Sequence, residues 1–410
     1  MRIAFLVDKF PQLSETFILN QITGLLDAGE ELDIYSWKTS EEGTAHTDVA
    51  RYGLMERTRY LKPPAGRLAR LARTATLLTE GQAWRRPSLL RSTADPRWGS
   101  GLAPRLAWLH AGARFLAQDP YDVVHCQFGQ LGLKALRLRD MGVARGRLVV
   151  SFRGFDLTAY GEPEAYERLF REGDLFLPVC DVFKQKLVDL GCEASKVRVH
   201  RSGLSLSELE FTPRRCRADE PTKLLTVARL VEKKGIAYGI EAVARLKALG
   251  HRVRYTVVGD GVLRPELERT IQRLGLTDDV RLEGALNHDD VIRALGEANI
   301  LLAPSVTAAD GDQEGIPNAL KEAMAVGLPV VSTLHSGIPE LVEEGVSGFL
   351  VPERDVEALA DRLARLIENP EQWPEMGRAG RARIEADYDI RKLNNRLLAL
   401  YRTVAGARAN

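Results

Sequence analysis

The sequence predicts an α/β protein of two parallel-sheet domains, and three observations carry that prediction. Short apolar runs of strand length alternate with stretches of helical periodicity along most of the chain. At 410 residues the chain is long for a single core, so two domains are expected. Residues 300–350 form a β-α-β unit whose polar loop lies at the carboxyl end of a buried strand, the edge at which such sheets take ligands.

Composition narrows the class. Hydrophobic residues make up 45% and charged residues 28%, ordinary for a soluble globular protein. A net charge of +1 argues against bulk nucleic-acid binding. No run approaches the roughly eighteen apolar residues of a membrane helix. The first apolar run, residues 3–7, is too short for a signal-peptide core. Cys126, Cys180, Cys192 and Cys216 show no Cys-x-x-Cys spacing, which suggests free thiols in a reducing cytoplasm. There is no internal repeat and no low-complexity tract.

Within the β-α-β unit, residues 299–304 read as a short buried strand stopped by Pro304. Ile316, Ala319, Leu320, Ala323 and Met324 follow the spacing of an amphipathic helix. Pro317 suits its first position, where a missing N–H would be unpaired anyway. Residues 328–333 are the next strand. Glu314 and Glu322 stand eight residues apart, roughly 12 Å along a helix axis. Between them the backbone N–H groups from Gly315 to Leu320, those of Ile316, Asn318 and Ala319 among them, make an anion site. A ligand with hydroxyls at both ends and phosphate in the middle fits that layout, as a nucleotide sugar does.

The stretch Glu314-Gly-Ile-Pro-Asn-Ala-Leu-Lys-Glu322, followed by Ala-Met-Ala-Val-Gly-Leu-Pro-Val-Val-Ser-Thr and Ser336-Gly-Ile-Pro-Glu-Leu-Val, resembles the Glu-x7-Glu signature of glycosyltransferase family 4. The resemblance implies the GT-B fold, two Rossmann-like domains facing a central cleft, and retention of anomeric configuration. It also implies a division into an acceptor-binding domain at 1–203, a nucleotide-sugar domain at 204–388, and a helix at 389–410 that packs back on the first domain.

The first strand leads to a helix opened by Ser14, Glu15 and Thr16. Ser14 or Thr16 would serve as a helix cap, but the loop lies at the ligand edge. It resembles the Pro-x-Leu-Ser-Glu-Thr-Phe variant of exopolysaccharide-type members, so the three are candidate acceptor or loop contacts. Residues 31–36 form the second strand and 40–60 read as polar and irregular. The segment 64–114 carries nine arginines against Glu80 and Asp95. It reads either as a basic face for an anionic membrane or acidic acceptor, or as a solvated helix. The strand 121–126 puts His125 at its carboxyl end, facing the expected cleft, where the resemblance implies an active-site histidine on the donor sugar. Cys126 points to the opposite face, so no Cys–His pair is expected. After the strand 148–152 comes Arg153-Gly-Phe-Asp156, where relatives carry His-Gly-x-Asp. Arg153 adds a fixed charge that suits an acidic or phosphate-bearing acceptor. Strands at 175–177 and 197–199 flank a helix at 181–190, residues 202–204 resemble the crossing between domains, and 212–221 read as an exposed linker.

In the second half, the strand 222–227 precedes Arg229 and Lys234, which match the family's Gly-Arg-x4-Lys-Gly element with Ala228 in place of its first glycine. Cations there would stabilise a departing diphosphate. The strand and turn 255–261 place Gly259 near that diphosphate without the third glycine of a dinucleotide fingerprint. The strand 280–285 leads to the expected nucleobase edge. Asp310-Gly311-Asp312 resembles a metal-binding Asp-x-Asp, but the nearby cations already supply positive charge, so no metal and no other cofactor is expected. Beyond 352 the chain reads as helical, with Asp355 capping one helix, Trp373 opening another and a last amphipathic segment at 389–406.

The expected activity is retaining, metal-independent transfer of a hexosyl group from a UDP- or GDP-sugar to a glycan or lipid-diphosphate-linked acceptor in surface polysaccharide biosynthesis. Arg229 and Lys234 would hold the diphosphate, Glu322 the ribose, and Glu314 with His125 the hexose. The expected place is the cytoplasm, at the inner face of the plasma membrane. Two readings from other classes stand beside it. An epimerase of the same fold would make an epimer from donor alone, and a non-catalytic partner would bind donor without turnover.

Overall fold

The computed structural model describes residues 1–12, 15–40, 47–62, 102–116, 120–158, 163–215 and 220–406, with single positions between 66 and 76. The first sheet contains β1 (Arg2–Phe10), β2 (Glu31–Thr39), β3 (Thr58–Tyr60), β4 (Val123–Cys126), β5 (Arg147–Phe152) and β6 (Leu175–Pro178). The second contains β7 (Thr222–Val227), β8 (Val253–Val258), β9 (Val280–Gly284), β10 (Ile300–Ala303), β11 (Val330–Thr333) and β12 (Gly348–Val351). Their orders are β3-β2-β1-β4-β5-β6 and β12-β11-β10-β7-β8-β9, and every strand pairing is parallel. Counted from its own first strand, each sheet runs 3-2-1-4-5-6. Winding therefore reverses once per sheet, between β1 and β4 and between β7 and β10, and a crevice opens at each reversal on the carboxyl edge.

Helices α1 (Thr16–Asp27), α2 (Thr47–Arg51), α3 (Leu102–Leu116), α4 (Gly129–Asp140), α5 (Phe155–Thr158), α6 (Glu167–Glu172) and α7 (Asp181–Asp189) belong to the first half. Helices α8 (Ile236–Ala248), α9 (Arg264–Arg273), α10 (His288–Glu297), α11 (Asn318–Ala325), α12 (Val356–Glu368), α13 (Trp373–Asp387) and α14 (Ile390–Gly406) follow. Strand alternation sorts the first core. Ile3, Phe5, Val7 and Val123 share one cluster with Leu397, Leu398 and Tyr401 of α14, while Ala4, Leu6, Val124 and Cys126 join the other. The last helix thus completes the core of the first domain, as expected. None of the described helices is long and apolar enough to cross a membrane.

The chain crosses between the sheets twice, side by side. Leu204 N–H donates to the Tyr388 carbonyl at 2.9 Å, and Ile390 N–H to the Leu204 carbonyl at 3.0 Å. Ser202, at the first crossing, is held from both halves: its hydroxyl accepts from Arg153 at 2.9 Å and its carbonyl from Lys321 at 2.7 Å.

Four local expectations are corrected. The 40–60 stretch contains α2 and the edge strand β3, and 348–351 forms an edge strand to which the pattern assigned nothing. Residues 197–199 make one bridge to Phe176 rather than a strand. The linker is not exposed at Arg214. Its guanidinium is buried and donates to the carbonyls of Leu295, Gly296 and Val326, where the ends of α10 and α11 converge.

Gly235, before α8, has φ 62°, and a Cβ built there would lie 1.8 Å from the Pro304 carbonyl oxygen. It lets the loop after β7 lie directly on the loop after β10. Gly235→Ala should therefore cost at least about 2 kcal/mol of unfolding free energy, from strain plus displaced backbone. Gly250→Ala, at φ 89° with nothing within 4 Å, should cost only the left-handed strain, about 1 kcal/mol. Denaturant titrations of the two variants decide; equal losses would mean that the close approach contributes nothing.

Candidate functional site

The loops leaving β7 and β10 flank the crevice of the second sheet. Val306 N–H donates to the Lys233 carbonyl at 2.9 Å, and Ala309 N–H to the Glu232 carboxylate at 3.0 Å. Lys233 Nζ lies 2.8 Å from Asp312 and 3.2 Å from Glu314, and Lys234 Nζ lies 2.8 Å from Glu314. One turn at Glu232–Lys234 aims both amines at the same loop. Burial alone would raise the Glu314 carboxyl, but Lys234 and Lys233 overturn it and hold it at about 2. Glu314 is therefore an anion at neutral pH and a weak proton acceptor.

The helix after Glu314 begins later than its spacing suggested. Pro317 has ψ 133° and stands just before α11, so Glu314 is on a loop and the roughly 12 Å helical separation from Glu322 does not apply. No side chain caps α11 and its first turn holds no acid. The N–H groups of Asn318, Ala319 and Leu320 therefore lack intrahelical acceptors, and the end favours an anion. Gly315 lies against the first domain: a Cβ there would be 2.8 Å from Val179 and 3.3 Å from the Arg153 carbonyl. Ile316 packs on cores of both domains.

Glu322 lines a cavity of about 530 Å³ with Thr16, Asn20, Leu204, His288 and Asn394, and Glu314 is not among the residues of its wall. Burial pushes its carboxyl up, against the opposing pull of His288 and Lys321. Arg229 is exposed and makes no ion pair among the described residues. Gly259, φ 134°, lets the end of β8 pack on the Arg229 loop; a Cβ there would sit 1.9 Å from the Ala228 carbonyl oxygen.

In the first domain the geometry changes three expectations. His125 does not face an open cleft. Its ring is fully buried, with Nε2 2.8 Å from Ser151 Oγ and Nδ1 2.6 Å from the Tyr401 hydroxyl. Strand parity put it on the face that α14 covers, so it ties β4 to the last helix. Burial, then Arg153 and His200, push it well below the usual histidine value. Arg153 is not a free cation for an acceptor. Its guanidinium donates to the Gln127 side chain at 2.6 Å and to Ser202 at 2.9 Å, and lies 4.3 Å over Phe17. Burial lowers it to about 10. Asp156 is buried too and accepts from the N–H groups of Gly129, Arg153 and Gly154 at 2.9, 2.9 and 3.0 Å, stapling two loops. Glu15 stands before α1 and interacts with Arg153, Thr16 reaches the Glu322 cavity, and Ser14 lies outside the described residues. Most of the basic 64–114 segment also lies outside them.

Sequence reasoning missed Lys233, His335, Glu353 and Lys321. Lys233 had one signal, adjacency to the matched Lys234. Lys321 is buried on α11 and burial lowers its amine to about 7, with Arg153 adding to the effect and Glu322 opposing it. Among the described residues no group of three or more His, Cys, Asp or Glu is arranged to hold a metal.

The ion pairs predict an acid response. Glu314 sits below its ordinary 4.5, so its stabilisation is complete above that pH and is lost as pH falls toward about 2. The stability advantage of wild type over Glu314→Gln should shrink across that window by roughly 1–3 kcal/mol. Urea titrations at successive pH values measure it, and parallel curves would remove the linkage.

A sequence profile of the family described as "Glycosyl transferases group 1" matches residues 210–383. WcaL of Escherichia coli (strain K12), named for colanic acid biosynthesis, is 40% identical over 413 residues, with 98% of this chain and 99% of that protein covered. AmsK of Erwinia amylovora, an amylovoran biosynthesis glycosyltransferase, is 38% identical with 95% and 96% covered. Among solved structures, Anabaena Alr3699/HepE in complex with UDP and glucose gives a TM-score of 0.71 at 19% identity, over 98% of this chain and all (100%) of that one. Sucrose-phosphate synthase from Thermosynechococcus elongatus gives 0.75 at 19% identity over 99% and 100%. The two structures share the fold. The full-length relatives share the family: this chain belongs to the group 1 glycosyltransferases.

Proposed function

We propose that this glycosyltransferase moves a hexosyl group from a nucleotide-diphosphate sugar to a glycan or lipid-linked saccharide in exopolysaccharide biosynthesis, acting in the cytoplasm at the membrane face. The observation that carries the reading is Lys234 paired with Glu314 at 2.8 Å beside the uncapped start of α11, in the crevice of the second sheet. The names of WcaL and AmsK support the pathway, and the complex of HepE with UDP and glucose supports the donor class.

In this reading the bond from the anomeric carbon to the diphosphate breaks as the acceptor oxygen bonds to the same face of that carbon, and configuration is retained. The acceptor's proton passes to the leaving phosphate oxygen, since Glu314, held at about 2, is too weak a base to take it. Arg229, Lys234 and the amides of Asn318 and Ala319 stabilise the diphosphate. Glu322 binds ribose hydroxyls in the cavity it shares with Thr16. Glu314 holds the hexose. No metal takes part.

A thermal-shift panel of UDP-, GDP- and ADP-sugars tests the donor class. The right one at 100 times its Kd adds about 2.7 kcal/mol; no shift and no turnover with any would overturn the proposal. With that donor, Glu322→Ala should weaken binding by about 1.5–3 kcal/mol, and calorimetry reading unchanged affinity would remove the ribose role. Arg229→Ala should lower kcat roughly 100-fold with a smaller change in donor affinity; the opposite split would mean uniform phosphate binding. Turnover should persist in EDTA, and its abolition would refute the metal-free route.

A further inference from the structure

The loop that carries Glu314 is also held from behind, by a hydrogen-bond chain independent of the two lysines. His335, just after β11, is fully buried. Its Nε2 lies 3.0 Å from the Glu314 amide nitrogen and its Nδ1 2.6 Å from Glu353 Oε1. An amide N–H can only donate, so Nε2 carries no proton, and Nδ1–H donates to the carboxylate. Glu353 in turn accepts from Thr307 N–H at 2.8 Å and the Thr307 hydroxyl at 3.2 Å, and that hydroxyl accepts from the Gln313 side chain at 3.1 Å. Both ends of the 307–314 loop are thereby fixed to one carboxylate–imidazole pair. Arg354 lies on the outer side of Glu353 and also donates to the Thr307 carbonyl.

We propose that His335 is the positioning residue for Glu314: by accepting the Glu314 amide hydrogen in one fixed tautomer, it sets where the carboxylate stands at the donor edge. The lysines fix the charge of Glu314, whereas His335 fixes its backbone. The effect on turnover rests on the donor reading above; the effect on the loop does not.

Two substitutions separate the ring's two contacts. In His335→Asn the amide nitrogen replaces Nδ1, keeping Glu353 but leaving the Glu314 amide without an acceptor. In His335→Gln the amide oxygen replaces Nε2 and restores that acceptor. Hydrogen exchange over 307–317 in the ligand-free protein should rise roughly tenfold or more in His335→Asn and stay near wild type in His335→Gln. Turnover of UDP-glucose, or of the donor selected above, should fall in the same order, in kcat more than in KM. Equal exchange in both variants, whether raised or unchanged, overturns the proposal. So does an exchange difference without a kcat difference. Should His335→Asn not fold, Glu353→Ala must raise exchange at 313–315, and no rise would be equally fatal. If the wild type turns over no sugar nucleotide, the donor reading fails while the exchange order still decides the role of His335.

Discussion

The crevice edge of the second sheet depends on four largely shielded charges being satisfied together. Lys233 and Lys234 reach across the reversal point of the second sheet to Asp312 and Glu314. A charge taken out of water is tolerated only when paired and hydrogen-bonded. Lys233 has two carboxylates, Glu314 has two amines, and each side chain is largely shielded from solvent. Removing one member strands the others, so the four act as a unit rather than as separable pairs. The backbone makes the arrangement reachable, because Gly235 lets one loop lie on the other.

The same edge is seated on the first domain by polar contacts. Glu340 accepts from the N–H groups of Asp181 and Val182 at 2.7 and 3.3 Å, capping α7, and pairs with Arg201 at 3.0 Å. Gly315 lies on Arg153 and Val179. Ser202 is grasped by Arg153 from one side and Lys321 from the other. Lys321 is the neighbour of Glu322, so the crossing between domains and the cavity wall share one turn of α11. A shift of one domain against the other therefore has to act on the residues nearest the cavity.

Much of this was legible because parallel sheets buried on both faces need continuous apolar runs, and helices need theirs every three to four residues. Those patterns mark β7, β10 and α11 plainly. They fail at β3 and β12, edge strands of three and four residues, too short for an alternation to register. They also fail at His125. Parity names the face a strand residue takes, but not that a helix 276 residues away puts Tyr401 over it. Arg153 and Arg214 mislead for a related reason: a charged residue reads as exposed until the carbonyls that will satisfy it are known. His335 gave no signal, since its partners are a distant carboxylate and a backbone amide.

The charge pattern also bears on how the proposed transfer would divide its work. Glu314 carries no proton at neutral pH, so in that transfer it would act only as a fixed negative charge. Such a charge favours the positive character that develops at an anomeric carbon as its bond to phosphate lengthens. The leaving group needs the opposite sign, and Lys234 would share its charge between the diphosphate and Glu314. In that proposal Arg229, exposed and without an ion pair among the described residues, would meet a departing diphosphate without first leaving a carboxylate. The amides at the start of α11 have no side-chain cap to displace. Negative charge is thus locked in place by two lysines and a histidine, whereas positive charge is held ready by groups with no competing partner. In the proposed transfer, an edge built this way would separate charge along the breaking bond before any substrate arrives.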